Sequence, residues 1–564
     1  MVTNQCQQCQ KTFKISESDQ ELYNRLELPL PTYCPDCRCQ RRMAVRNEKH
    51  MYPTKCEMCQ KDIVSLYSPN LPAGKAGKKL TVYCNDCWFA DKWEAQDYAR
   101  EYKEGQSFFK QFQQLQKSIP RPNVMKAGGN IENSDYCAYI GDAKNCYLVY
   151  GSIHVEDCYY GNPYYCKNCV DSLLIRDCEL CYECVTSEHL FNCLYCQDCF
   201  DSNNLMFCYD CKGCTECIGC TNLRNNQYNI FNKQYTKEEY EKEKARINLC
   251  NPESYKRVNS NFEKQKIKSI RKYMIGVKNE NVTGNYINES KSSHFCFDVK
   301  RVDHTNYSSQ VIDLKDCLDN NYTEENELCI DYIGSWKNNR CHYSNTCYQC
   351  NDVMYSELCY SSKNLFGCVS LKNKEYCILN KQYSPEEYKK LKNKIMEDMK
   401  KAGDWGEFFP IKKSIFAYNE TVANEYFPEK QETVLSKGWR WHEDKEKEKQ
   451  LQTCRIPQSI DKIPDSIIHE FLICSQCGEN YKIIKAELEF YRQQKLPIPK
   501  ICNICRHKNR MKLRTPRALW HRQCMCTQKD HSHDGRCSNE FETAYNPNEK
   551  EMVYCEDCYN KEIY

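Results

Sequence analysis

Cys6 and Cys9, followed by Cys34 and Cys37, form two Cys-x2-Cys pairs, and Cys474/Cys477 with Cys502/Cys505 repeat them at a constant offset of 468 residues. A pair of this spacing offers two thiolates from one tight turn, and two pairs fill the four positions that tetrahedral zinc prefers. With sulfur at every position, no site remains for water or substrate, so the predicted chemistry is structural, not catalytic. The offset carries neighbours as well: Phe13-Lys14-Ile15 meets Tyr481-Lys482-Ile483, and Leu28-Pro29-Leu30-Pro31 meets Leu496-Pro497-Ile498-Pro499. A second set follows each first one. It is Cys56/Cys59 with Cys84/Cys87 near the N-terminus, and Cys524 or Cys526 with Cys537, Cys555 and Cys558 near the C-terminus. Spacing alone does not choose between Cys524 and Cys526. Ten extra residues between Cys524 and Cys537 contain Cys526, His531 and His533, which read either as a second metal site or as a solvated loop. Four zinc ions are expected.

Between the two sets of each module runs a basic stretch: Arg38, Arg41, Arg42 and Arg46 in the first, and Arg506, Lys508, Arg510, Lys512, Arg514 and Arg517 in the last. Cations leaving a zinc knuckle suit a phosphate backbone, whose counterions they release. The competing readings are a solvated face that balances the negative charge of a tetrathiolate site, or a surface for an acidic protein. Lysine plus arginine total 80 against 77 acidic residues, so a global polycationic coat is excluded. No Ser/His/Asp set, His-Glu-x-x-His helix or phosphate-cradling glycine loop is evident, and no small-molecule substrate is indicated.

The elements that would hold these modules apart follow a three-residue rhythm. Thirteen cysteines lie between Cys166 and Cys220 with every gap 3 or 9, and a 15-residue unit repeats as Cys178-Cys181-Cys184, Cys193-Cys196-Cys199 and Cys208-Cys211-Cys214. Nine cysteines from Cys296 to Cys377 also lie at multiples of three from one another. Helices have a period of 3.6 and strands of 2, so neither fits. The rhythm predicts a mainly β protein with two tight parallel β-solenoids, the first with 15-residue coils. Every third residue points inward, and the cysteines form ladders of packed reduced thiols, metal ligands or disulfide rungs. Cys137, Cys146 and Cys158 share a register slipped by one, which predicts a bulge or irregular turn between Tyr159 and Tyr165. Capping boxes at Thr236-x-x-Glu239 and Ser384-x-x-Glu387 predict helices closing both arrays.

The expected organisation is a double zinc-ribbon module at 1–91, a helical linker or cap at 92–130 and the first solenoid at 131–235. A helical linker at 236–284, the second solenoid at 285–383 and a capping helix at 384–402 follow. An aromatic and charged linker at 403–470, with its charged part at 442–452, leads to a second zinc module at 471–564. Residues 92–118 read as one helix with Phe108, Phe109, Phe112 and Leu115 on one face.

Mean hydropathy is −0.83, and no run approaches the ~20 apolar residues a membrane helix needs. The 45 cysteines beside zinc sites, with no secretory leader evident, predict a reducing, cytoplasmic location. Cys34-Pro35-x-Cys37-Arg38 with Arg41-Arg42, Asn232-Lys233-Gln234-Tyr235, Tyr418-Asn419-Glu420, Glu489-Phe490-Tyr491-Arg492 and Asn539-Glu540-Phe541-Glu542-Thr543 carry a resemblance. Through them the chain resembles, nearly end to end, uncharacterised zinc-ribbon proteins of candidate phyla radiation bacteria (Patescibacteria), sometimes labelled "CaiB/BaiF family protein". That label would imply a CoA transferase, but the sequence offers neither a CoA-binding domain nor a catalytic carboxylate. The resemblance implies a bacterial, cytoplasmic protein and supplies no activity. Two functions are expected from the residues: a non-catalytic zinc-stabilised scaffold binding nucleic acid or an acidic protein, or a redox or metal-handling protein using the cysteine ladders.

Overall fold

A computed structural model describes residues 2–69, 79–126, 128–443, 450–452, 454–457 and 459–564. Residues 444–449, most of the expected charged stretch, lie outside the described residues. The chain forms two compact units, each assembled from two separate stretches: Met1–Met125 with Met274–Glu443, and Lys126–Tyr273 with Asp444–Tyr564. Each metal-ligand module therefore joins the array more distant from it in sequence.

The protein is β-rich. A ten-stranded sheet runs from Ile131–Glu132 to Lys233–Gln234, and an eleven-stranded sheet runs from Gly276–Val277 to Lys381–Gln382. Consecutive strands pair in parallel in both, and only the last hairpin of each is antiparallel. The register sets the repeat length. Glu188 pairs with Phe200, Asn203 with Thr215 and Thr215 with Gln227. In the second array Phe297 pairs with Ser309, Ser309 with Asn321 and Lys363 with Glu375. All these partners are twelve residues apart, so the expected 15-residue coil is corrected to a 12-residue rung. Both lengths are multiples of three and both keep cysteines inward. The 15-residue sequence unit is one rung plus one three-residue step, so the cysteine triplet advances by one position per rung.

The local conformation explains the rhythm. Asp177, Leu180, Glu183, Thr186, His189, Asn192, Tyr195 and Asp198 all have φ between 47° and 57°. Each sits immediately before an inward residue. A left-handed residue every third position bends the chain at a steric cost, of order 1 kcal/mol each, that the inward side chains help to offset. The Cys178 thiol donates to the Arg176 carbonyl at 3.1 Å, and Ser187 Oγ donates to Val185 O at 2.9 Å while accepting from the Cys199 amide at 3.1 Å. Asn338 works similarly in the second array, accepting from the Cys350 amide at 2.7 Å. Small residues that can both fill space and bond to a bent backbone suit these positions. The first array's cysteines are 0–3% exposed and form one continuous core with Ile140, Val149, Leu190 and Leu205.

The register shift expected near residue 160 occurs between Asn162 and Pro163. Both capping boxes form, at the starts of Lys237–Ala245 and Pro385–Ala402. The continuous helix expected over 92–118 is instead a short 3₁₀ turn, Ala95–Tyr98, and a helix, Phe108–Ser118, with Gly105 in the left-handed region between them. Phe108, Phe109, Phe112 and Leu115 are buried as expected. The aromatic segment is core too: Ile411, Tyr418 and Trp439 pack against Met43 and Ala44.

Candidate metal centres and the arginine clamp

Each ligand set has the same local design. The first two sulfurs sit in the connection of a β-hairpin, as Cys6 and Cys9 do in the turn between Val2–Gln5 and Thr12–Ile15, and as Cys524 and Cys537 do in the longer loop between Trp520–Gln523 and Glu540–Thr543. The second pair opens a helix: Cys34 caps Pro35–Met43, Cys84 caps Asn85–Phe89, Cys502 caps Asn503–Lys512 and Cys555 caps Glu556–Ile563. A helix start, not a second β-knuckle, therefore completes each set, and its amides and dipole favour thiolate.

Four groups bring four sulfurs within 4.8 Å of one another: Cys6/Cys9/Cys34/Cys37, Cys56/Cys59/Cys84/Cys87, Cys474/Cys477/Cys502/Cys505 and Cys524/Cys537/Cys555/Cys558. The open choice in the last set thus falls to Cys524, with Cys526 placed elsewhere. Sulfur–sulfur separations of 3.6 Å for Cys9–Cys34, 3.8 Å for Cys59–Cys84, 3.8 Å for Cys477–Cys502 and 4.0 Å for Cys537–Cys555 recur across the groups. They match the edge, about 3.8 Å, of a tetrahedron with metal–sulfur bonds of about 2.3 Å. The amides of Cys84, Cys502 and Cys555 each donate to the first sulfur of their own set at 3.2 Å. Burial opposes ionisation of Cys56 and Cys474, but backbone amides, including those of Cys84 and Cys502 respectively, bring both thiols down to about 6. These groups could hold metal ions.

The basic stretches do not face solvent as expected. Arg38 and Arg42 lie one turn apart on Pro35–Met43. Arg38 Nε meets Asp319 at 2.8 Å, and Arg42 Nη1 meets Asp319 at 3.1 Å and also pairs with Asp331. The other module repeats this with Arg506 and Arg510 on Asn503–Lys512. Arg506 Nε meets Asp171 at 2.8 Å, and Arg510 Nη1 meets Asp171 at 2.9 Å and Glu183 at 3.1 Å. In each unit the two carboxylates are twelve residues apart and sit at left-handed corners, with φ of 59° and 52° for Asp319 and Asp331, and 51° and 52° for Asp171 and Glu183. Rung spacing of ~4.8 Å places such carboxylates in step with arginines one helical turn, ~5.4 Å, apart. The offset of 148 residues that relates Asp171 and Glu183 to Asp319 and Asp331 also relates Cys220 to Cys368 and Thr236 to Ser384. The clamp is therefore a duplicated device.

Further contacts repeat across the copies. Arg38 stacks 5.4 Å from the Tyr307 ring and Arg506 4.9 Å from that of Tyr160. Asp19 accepts from Tyr307 Oη at 3.1 Å, and Glu487, at the equivalent position, accepts from Tyr160 Oη at 2.8 Å. Arg41 pairs with Glu407 at 2.7 Å and Arg46 with Glu48 at 2.6 Å. Burial raises the Asp331 carboxyl to about 6 against the pull of Arg42, and raises Glu183 to about 7 against that of Arg510. Arg38, Arg41, Arg42, Arg46, Arg506 and Arg510 are thus buried and ion-paired within their units. The phosphate contacts expected of these six, and the solvated-face alternative, both give way to internal docking. Of the remaining four, Lys508 and Lys512 are exposed, and Arg514 and Arg517 are partly buried.

No family model matches the chain, and no curated protein matches it. Among solved structures, one similar chain is titled "putative acetyltransferase" from Desulfovibrio desulfuricans G20, at 8% identity and a TM-score of 0.11. That match covers 40% of this chain and 65% of the other. A likeness at this level bears on neither fold nor activity.

The array cysteines are arranged differently from the terminal sets. Among the described residues none of them belongs to a group of three or more ligand atoms close enough to share a metal, and all are free thiols. Burial pushes Cys137, Cys146 and Cys296 up to about 12. In the crowded middle, burial of Cys193 is outweighed by hydrogen bonds from Cys181 and Cys196, which bring it down to about 6. What sequence reading missed was the acidic half of the clamp. Its available signal was the shared 148-residue spacing of the two acidic pairs.

Proposed function

We propose that this chain is a non-catalytic scaffold in which zinc-held modules at either end of the sequence clamp two cysteine-cored parallel β-solenoids. The supporting observation is that in each unit one helix starting at a tetrathiolate group, Pro35–Met43 or Asn503–Lys512, carries two buried arginines seated on carboxylates of adjacent array rungs. Four sulfurs per group favour a closed structural ion, and the module it holds aims the clamp. The six buried arginines serve assembly of the protein itself, so they are not available to a phosphate backbone and nucleic-acid binding is no part of this reading. The free, inward thiols suit a reducing compartment such as a bacterial cytoplasm, in keeping with the Patescibacteria-like motifs. Metal analysis of protein purified without chelator should find at least four zinc ions per chain, and strong chelation should lower the unfolding temperature. Two or fewer ions, or stability indifferent to chelation, would reject the proposal.

A further inference from the structure

The ten residues by which the last ligand set exceeds its N-terminal counterpart supply three of the four members of a second set of ligands. Cys526, His531, His533 and Cys558 bring two sulfurs and two ring nitrogens within 4.8 Å of one another. Cys526 Sγ lies 3.1 Å from His531 Nδ1, and Cys558 Sγ lies 3.5 Å from His533 Nε2. Sulfur and nitrogen on one tetrahedral zinc would be separated by about 3.5 Å. Each imidazole is fixed from behind through its other nitrogen: His531 Nε2 meets Glu562 at 3.1 Å, and His533 Nδ1 meets the Gly535 carbonyl at 3.0 Å. Outer contacts of this kind set the tautomer and ring direction of metal-bound histidines. The sulfur side is equally enclosed. Cys526 is fully buried, Cys558 is 4% exposed, and the Cys526 carbonyl accepts from the Cys537 amide at 2.9 Å, closing the loop at its base.

Cys558 also belongs to the tetrathiolate group completed by Cys524, Cys537 and Cys555. We propose that the C-terminal module binds two zinc ions, with Cys558 as the bridging thiolate between a four-sulfur site and a two-sulfur, two-nitrogen site. The proposal rests on the tetrathiolate reading above and adds a fifth ion to it. The bridge has an electrostatic reason. A lone tetrathiolate zinc carries a net −2 charge, and a buried Cys526 thiolate beside it would add to that. A second divalent ion held by neutral imidazoles and a shared sulfur offsets most of this charge.

The test compares metal content and cobalt spectra of the full-length protein with those of H531A/H533A. The wild type should bind one more ion than the variant, and its cobalt spectrum should contain a mixed sulfur–nitrogen component that the variant lacks. The sulfur-only component should persist in both. Equal metal content, or identical cobalt spectra, would overturn the second site while leaving the tetrathiolate groups standing. Loss of the sulfur-only component from the wild type itself would instead reject the reading on which the bridge depends. Cadmium NMR of the loaded wild type is a readout that does not depend on the variant folding. It should show two resonances coupled through the shared sulfur, and their absence would likewise overturn the bridge.

Discussion

At the scale of single residues, the clamp concentrates energetic consequence in a few side chains. Arg42 is fully buried against Asp319 and Asp331. Such a pair adds little net stability relative to apolar packing, but removing one partner strands the other's charge, at about 3–5 kcal/mol. Arg42→Ala should destabilise the unit containing it by that amount in denaturant unfolding, and Arg510→Ala should do the same in the other; a change under about 1 kcal/mol would deny the clamp its role. The pH dependence has a definite sign. Glu183 is raised from an ordinary 4.5 to about 7 in the folded chain, chiefly by burial and despite Arg510. Its contribution is fully present below pH 4.5 and is lost as pH rises towards 7. Glu183→Gln, a mimic of the protonated side chain, should therefore gain stability relative to wild type as pH rises across that window. A relative loss over the same range would contradict the assigned direction.

At the scale of elements, the three-residue step was legible in the cysteines alone, whereas the rung length was not. Any multiple of three keeps Cys178, Cys181 and Cys184 inward, and only strand pairing separates twelve from fifteen. A hint stood beside the thiols: Asn145, Asp157, Asn168, Asp177, Asn192 and Asp198 each precede a cysteine, and Asn and Asp are the residues that best tolerate left-handed corners. Three ligand sets were readable because each is made of two Cys-x2-Cys pairs, whereas the last, split by the insertion between Cys524 and Cys537, left Cys524 and Cys526 open until the structure chose. The clamp was not readable, since Arg42 and Asp319 are 277 residues apart and a corner aspartate looks like any turn residue. Serine already occupies inward positions at 172, 187 and 202, so Cys196→Ser should be tolerated within about 1 kcal/mol. Cys196→Phe should overpack the interior and cost about 1–3 kcal/mol or more. Thermal unfolding of the pair checks this; equal effects would mean the position is not space-limited.

At the scale of the whole molecule, each unit is stitched from two distant stretches of one chain. Joining residues 126–273 directly to 444–564 through a flexible linker should yield a folded protein that retains its share of the metal. The contiguous fragment 126–443 should be markedly less stable, because it contains the first array without its module and the second array without its own. Circular dichroism with metal analysis would decide, and a well-folded contiguous fragment would argue against these unit boundaries. The interlacing also imposes an order on synthesis. Arg42 leaves the ribosome 277 residues before Asp319, a wait of roughly 15–55 s at ~5–20 residues per second. Asp171 waits 339 residues for Arg510. The unit that opens the chain closes first, and the first array stays uncovered until translation has passed residue 510. A nascent chain released before that point would expose unpaired buried-type carboxylates and an open flank, a signature by which quality-control proteases would tell incomplete from complete product.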